Sequence, residues 1–444
     1  MTASAAVARA RPWQAWLLAA VCAYSVAHFV YSAILAPLGT DGADFRSIFP
    51  SKPMFQIVAR WPQLAKDWIA VSSFTPTTTS WNYGPAAQWV TVPFLFIASR
   101  AHAMAVLLFI DVALAAMSWW LWVRLLFGRT LQPAIVLGLA CIWLNYFPLV
   151  EALAGREIEL LELWLITLAV WALRRHLQVA AGTAIGVAAM TKFLPVVLVP
   201  YLFVKGFRRA GWVAIGVTEA LAAVGQWLLG FEHCMTIKLL GQEASGTLLP
   251  AFPPNHAIIN VLYKMFLLSK PDEAPQVLAP HVLRPIGHVL QLALWGGCGW
   301  WVWRWRRSRL LEVEVALLML VAVLGASHAN TYYFLFALPA LSVGYAAWVS
   351  QPERFPHSLK LALCSAVALS GLVVPMSLWG RLAGLPGVVV TRIVQHHSIP
   401  AFGAMFAAIV AFGVHQLLRH PATPRGEPTA CGSDAVTAAA VPAA

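Results

Sequence analysis

An all-helical bundle that crosses a membrane many times is what three features of this 444-residue chain demand. Of its residues 60% are apolar and only 11% charged, against about 45–50% and 25% in an ordinary soluble domain. Apolar runs of about 17–25 residues recur from Trp13 almost to the end, each long enough to cross a hydrocarbon core of roughly 30 Å at 1.5 Å per residue. The charged residues gather between those runs. A water-soluble fold is excluded, and a polytopic all-α bundle of about 12 membrane segments is expected.

The first run, residues 13–36, follows Arg9 and Arg11 but is too long for a signal-peptide core and lacks a persuasive cleavage site, so it reads as a retained helix. It leads to a polar stretch with Asp41, Asp44, Arg46, Lys52, Arg60, Lys66 and Asp67, the first external loop (37–84). Residues 85–99 are apolar, short and interrupted by proline, which predicts an interfacial helix feeding a membrane helix over 101–123. That helix ends at Arg124 and Arg129. A helix over 131–149 then exits to a loop holding Glu151, Arg156, Glu157 and Glu159, and a helix over 160–173 returns to Arg174 and Arg175.

Residues 177–204 read as a hairpin of two half-length passes broken around Lys192 and Pro195, because proline removes a helix N–H and crowds the preceding turn. After Lys205, Arg208 and Arg209, a helix over 211–230 leads to a second external loop, 231–283. Helices over 284–303, 312–327, 333–349, 359–378 and 400–418 complete the bundle, the first of them ending in Arg304, Arg306, Arg307 and Arg309. Residues 1–12 form a cytoplasmic N-terminus, 13–420 the membrane domain, and 421–444, rich in Ala, Pro and Thr, a disordered cytoplasmic tail.

Thirty Lys and Arg against eighteen Asp and Glu give a net charge of +12. In a soluble protein that excess would point to nucleic acid; here the basic residues sit in short loops and read as topology signals. Seventeen fall in the inner loops and tails, twelve in the much longer outer ones, and Lys192 lies in the hairpin. The bias places both termini in the cytoplasm of a plasma or inner membrane. No inverted or parallel repeat of the kind many transporters carry is visible. The 21 tryptophans cluster near helix ends, where an indole sits at headgroup level or stacks on a sugar. The six cysteines are scattered, without CxxC or zinc spacing, so neither disulfide framework nor metal cage is expected.

Candidate chemistry collects on the external side. Asp41 and Asp44 lie near the interface, where a partly desolvated carboxylate suits a general base; solvated loop acids are the plain alternative. Glu159 and Glu162, three apart, share one face of a helix. Acids entering a membrane helix imply either a polar cavity, with Glu157 beside them, or an ion pair with Arg156. Lys192 lies deep in an apolar hairpin and needs a partner: a lipid phosphate, an acid such as Asp111 or Glu219, or the interface by snorkelling. His328, Asn330, Tyr332 and Tyr333 occupy an outer turn, and Asn255 and His256 the second external loop. Such groups donate hydrogen bonds to phosphate or sugar oxygens. Arg392, His396 and His397 are further cationic or imidazole candidates.

The order of these features resembles glycosyltransferase family 87, a group of GT-C membrane enzymes that includes polyprenol-phosphate-mannose-dependent mannosyltransferases. The pieces are Asp44-Phe45 after the first helix, Trp81-Asn82-Tyr83-Gly84-Pro85 with a later Pro93, and Gly155-Arg156-Glu157 before a helix. Then come Ala181-Gly182 with Lys192-Phe193-Leu194-Pro195, Asn255-His256, and Ser327 to Tyr333 with Leu338-Pro339. They span most of residues 13–350. This chain has Tyr83-Gly84-Pro85 where the family commonly has Tyr-Pro-Pro, and Gly155-Arg156-Glu157-Ile158-Glu159 where it has Gly-Gln-x-x-Asn.

The resemblance implies a GT-C-type bundle and a hexosyltransferase that moves mannose from a polyprenyl-phosphate donor to a lipid or glycan acceptor, with inversion, on the extracytoplasmic side. Asp44 corresponds to the catalytic acid and His328 to a polar residue near the donor phosphate. Lys192, Asn255, His256, Arg392 and Tyr332 are expected at the donor phosphate and sugar. Asp41, Tyr83, Arg156, Glu157 and Glu159 are expected at the acceptor or along the cavity. No Asp-x-Asp motif appears, so neither metal nor cofactor is expected. A transporter or lipid-linked-sugar flippase, and a non-catalytic envelope subunit, are the competing readings.

Overall fold

The computed structural model describes residues 12–35, 97, 100–128, 132–229, 261, 275–326, 329–371 and 399–419. Among them the regular structure is helical throughout, with no strand. Helix α1 (Pro12–Phe29) ends in a π-helical turn, Val30–Leu35, and α2 spans Arg100–Phe127. The segment expected to continue over 131–149 is instead two helices, α3 (Pro133–Leu144) and α4 (Phe147–Gly155), bent by 58°. Pro148, in the first turn of α4, has no N–H to give and its ring would collide with a carbonyl four residues back, so α3 cannot run on. The broken end is tied down by Asn145, whose side-chain amide donates to the Cys141 carbonyl at 2.8 Å and to Ser25 of α1 at 2.6 Å.

Helices α5 (Glu159–Arg174) and α6 (Gln178–Thr191) form a hairpin. After it the chain passes through a 3₁₀ turn, Leu194–Val197, into α7 (Leu198–Val204) and α8 (Arg208–Leu229). The break expected around Lys192 and Pro195 is present. α6 packs on α8 so closely that a Cβ on Gly186 would lie 2.7 Å from the Ala214 carbonyl oxygen and one on Gly182 would lie 2.8 Å from Val213 Cβ. Small residues four apart allow this backbone approach, as is common between membrane helices.

Helix α9 runs Pro275–Arg304, nine residues longer at its start than the hydrophobic pattern indicates, and is followed by α10 (Leu311–Leu324). A 3₁₀ turn, Thr331–Phe336, leads to α11 (Ala337–Ser350); α12 (His357–Gly371) and α13 (Ile399–Arg419) close the order. Every residue of α10 is buried, as befits a helix apolar nearly all round, and it forms the axis of the bundle. Four helical stretches are long and apolar enough to cross a membrane, Trp16–Leu35, Ala101–Phe127, Thr331–Ser350 and Ile399–Arg419, and the bent α3–α4 pair makes up to a fifth. The protein is therefore a helical membrane protein, with up to five such spans among the described residues.

Direction follows from side-chain contacts. Asp111 of α2 lies beside Arg156, and eleven residues further along both segments the Trp122 indole N–H donates to Thr167 Oγ1 at 3.0 Å, so α2 and α5 run parallel. The end where α5 finishes is basic, and it is braced by α10. Arg174 forms a forked pair with Glu312. Lys205 donates to Glu314 and to the carbonyls of Trp305 and Ser308, while the Tyr201 hydroxyl donates to Glu314 at 2.7 Å. Both acids lie in the first turn of α10, where the helix dipole favours negative charge.

Candidate active site

The opposite end is built around a three-residue turn between α4 and α5. Helix α4 closes with Arg156 in the left-handed region (φ 51°, ψ 53°), and the Glu157 N–H donates to the Ala152 carbonyl at 2.9 Å. That position usually takes glycine, because a Cβ there costs about 1 kcal/mol. An arginine kept under such strain fits a site where the side chain is needed. The tight turn also places Arg156, Glu157, Glu159 and Glu162 together. Glu159 and Glu162 share one face of the first turn of α5 and are wholly buried, as their spacing predicts. Glu151, expected in a loop, instead sits on α4 beside Thr331.

Lys192 reaches the same point from the far end of the hairpin. Thr191 is the last residue of α6, and Lys192 is extended (φ −154°, ψ 121°), ahead of the turn that holds Pro195. α6 runs back along α5, so this break swings the ammonium onto Glu159, 33 residues earlier in the chain. The expected partners Asp111 and Glu219 give way to Glu159, because the antiparallel hairpin brings the two ends of α5 and α6 into register. The ammonium also stands 4.2 Å from the Tyr333 ring centroid and 5.4 Å from that of Tyr332. A cation desolvated there gains from both the carboxylate and the aromatic faces.

The third wall is the 3₁₀ turn before α11. It is pinned by the Tyr146 hydroxyl, which donates to the Phe334 carbonyl at 2.6 Å, and by Asn330, whose amide donates to the Tyr332 hydroxyl at 2.5 Å. Asn330 Oδ1 is shielded from solvent with no hydrogen-bond partner among the described residues. Nearby, Phe29 of α1, Val112, Ala115 and Trp119 of α2, Trp143 of α3 and Leu149 of α4 help to line an apolar cavity of about 230 Å³.

Asp111 thus faces Arg156, while Glu157, Glu159 and Glu162 gather around Lys192 and Tyr332: four carboxylates with two cations, and Glu151 stands beside Thr331. Ionisable groups at membrane depth are costly and mark functional sites. A buried acid-rich cluster beside two tyrosines, with a shielded amide oxygen, has the chemistry to accept hydroxyl donors such as those of a sugar. Among the described residues no group of three or more His, Cys, Asp or Glu side chains is disposed to hold a metal ion.

Of the residues nominated from sequence, Arg156, Glu157, Glu159, Lys192 and Tyr332 come together here. Asp41, Asp44, Tyr83, Asn255, His256, His328 and Arg392 lie outside the described residues. The site also recruits Glu162, read from the sequence as sharing a face with Glu159, Asn330 and Tyr333, read there as part of the outer turn, and Asp111 and Glu151, whose roles there were misplaced. A lone acid inside an apolar run was the available signal for both.

No curated protein matches the chain. Residues 81–327, more than half of its length, match glycosyltransferase family 87. That region contains the α4–α5 turn and Lys192. The chain belongs to glycosyltransferase family 87 and is a membrane glycosyltransferase.

Proposed function

We propose that this enzyme transfers a hexose, mannose in the first instance, from a polyprenyl phosphate to a lipid or glycan acceptor on the extracytoplasmic side of the plasma or inner membrane, with both termini in the cytoplasm. The observation that carries the reading is the buried charged cluster at the α4–α5 turn, inside the region that matches the family. Its excess of carboxylates and the Asn330 amide oxygen offer acceptors for sugar hydroxyls. The apolar cavity nearby offers room for part of an isoprenoid chain.

In the reaction, Asp44 takes the proton from an acceptor hydroxyl. The oxygen forms a bond to the anomeric carbon while the bond from that carbon to the phosphate oxygen breaks, and the electron pair leaves on the lipid phosphate with inversion. Donors and cations around the phosphate stabilise the developing charge; His328, Arg392, Asn255, His256 and Lys192 are the candidates. Lys192 reaches a phosphate only by exchanging part of its contact with Glu159 for it. A monophosphate leaving group is neutralised by side chains alone, so neither metal nor cofactor is required.

The test is turnover of radiolabelled polyprenyl-phosphate mannose by the purified chain, with mass spectrometry of the product and a panel of other lipid-linked sugars alongside. Asp44→Asn keeps the shape of the side chain and removes the base. Transfer is expected to vanish while the protein still purifies folded; near-normal turnover would remove Asp44 from the mechanism. Movement of labelled lipid across liposomes without a new glycosidic bond would favour a flippase instead.

A further inference from the structure

The basic end of the bundle holds a second concavity that sugar transfer does not use. Arg304 closes α9, Arg306, Arg307 and Arg309 follow in the turn to α10, and Arg419 closes α13. These five arginines line one depression of about 560 Å³, and no acid lies among its walls. Of the acids that follow in the first turn of α10, Glu312 pairs with Arg174 and Glu314 with Lys205. Arginines that serve only as topology signals have no reason to converge from segments more than a hundred residues apart.

The depression is also built. Buried Lys205 donates to the carbonyls of Trp305 and Ser308, at 3.1 and 2.5 Å, and to Glu314 at 3.0 Å, which holds the arginine-bearing turn against α7 and α10. The Trp305 ring lies under two guanidinium groups, 4.4 Å from that of Arg304 and 3.0 Å from that of Arg419, and Arg306 lies 5.3 Å from the Trp303 ring. Stacking engages the faces of the guanidinium planes and leaves their N–H edges for planar, forked recognition of phosphate oxygens. Depth is set by Trp300 and Trp303, 62% and 56% exposed on the last turns of α9. Exposed indoles at the end of a membrane helix mark the headgroup level.

We propose that this depression binds the phosphate headgroup of an anionic membrane lipid. A headgroup fits better than a soluble anion because the arginines close helices that leave the bilayer at that level, beside indoles that face its interface. The site is separate from the buried acid-rich cluster, about 22 Å away along α5, and stands whether or not the donor assignment does.

The experiment is native mass spectrometry of the detergent-purified full chain, titrated with phosphatidylglycerol or phosphatidylcholine, for the wild type and for Arg306→Gln/Arg307→Gln/Arg309→Gln. All three arginines are exposed, so the variant is expected to fold; unfolding temperature checks this, and Arg307→Gln alone carries the same test with a drop of about fivefold. The wild type should retain phosphatidylglycerol over phosphatidylcholine, and the triple variant should lose at least about tenfold of that retention. Equal retention in wild type and variant, or equal retention of the two lipids, overturns the proposal. Displacement of phosphatidylglycerol by equimolar pyrophosphate would do the same, by showing a site for free phosphate.

Discussion

Helix α5 carries an ion pair at each end, buried Lys192 with Glu159 at one and half-exposed Arg174 with buried Glu312 at the other, and the surroundings make them different devices. At the basic end Glu312 and Glu314 meet Arg174 and Lys205, with Tyr201 donating to Glu314 and the other donors of Lys205 on backbone carbonyls. Two acids face two cations, and the His415 ring stands 3.7 Å from Glu314. At the other end Arg156 and Lys192 stand among four carboxylates, Asp111, Glu157, Glu159 and Glu162. Burying a charge is expensive in a membrane protein unless something answers it, so a balanced network reads as a brace and an excess reads as a site. The same chemical motif therefore means different things according to its charge balance.

The sharpest way to break this contrast is at Lys205. Lys205→Met leaves Glu314 buried without its cation and is expected to lower stability by about 3–5 kcal/mol, seen as a fall in unfolding temperature in detergent. Transfer per folded molecule should be unchanged. A matching loss of specific activity would mean that the basic end also serves catalysis.

At the other end, Lys192→Met should lower stability by about 3 kcal/mol and also depress transfer. Adding Glu159→Gln to it should return most of the stability and none of the activity, measured by unfolding temperature and by labelled-donor turnover. Recovery of both in the double variant would reduce the cluster to packing. Midway between them, Thr167→Val removes the acceptor for the Trp122 N–H. It is expected to cost about 1–2 kcal/mol with turnover unaffected, which calibrates a neutral buried hydrogen bond on the same helix. A loss as large as that at Lys205 would show that α5 is sensitive everywhere and that the contrast between its ends is not electrostatic.

Several parts of this arrangement were legible before any coordinates. The break at Lys192 and Pro195 follows from the geometry of proline, and the shared face of Glu159 and Glu162 from helical spacing. The bend between α3 and α4 was missed although Pro148 was in view, because the apolar run continues across it and hydropathy does not register a 58° change of direction. Glu312 and Glu314 passed unremarked at the start of a run that is otherwise apolar. Their importance lies in partners from α5 and α7, more than a hundred residues earlier.

Composition and the length of its apolar runs were enough to make this chain a helical membrane protein, since bilayer thickness and backbone hydrogen bonding impose helices of a given length on any sequence that enters a membrane. The order of its motifs was enough to point to the family. Which acid answers which base was decided only by tertiary structure. Lys192 meets Glu159 because α6 folds back along α5 and is drawn against α8 by glycines at 182 and 186, and an ion pair between distant residues depends on helix packing, which leaves no mark at either position alone.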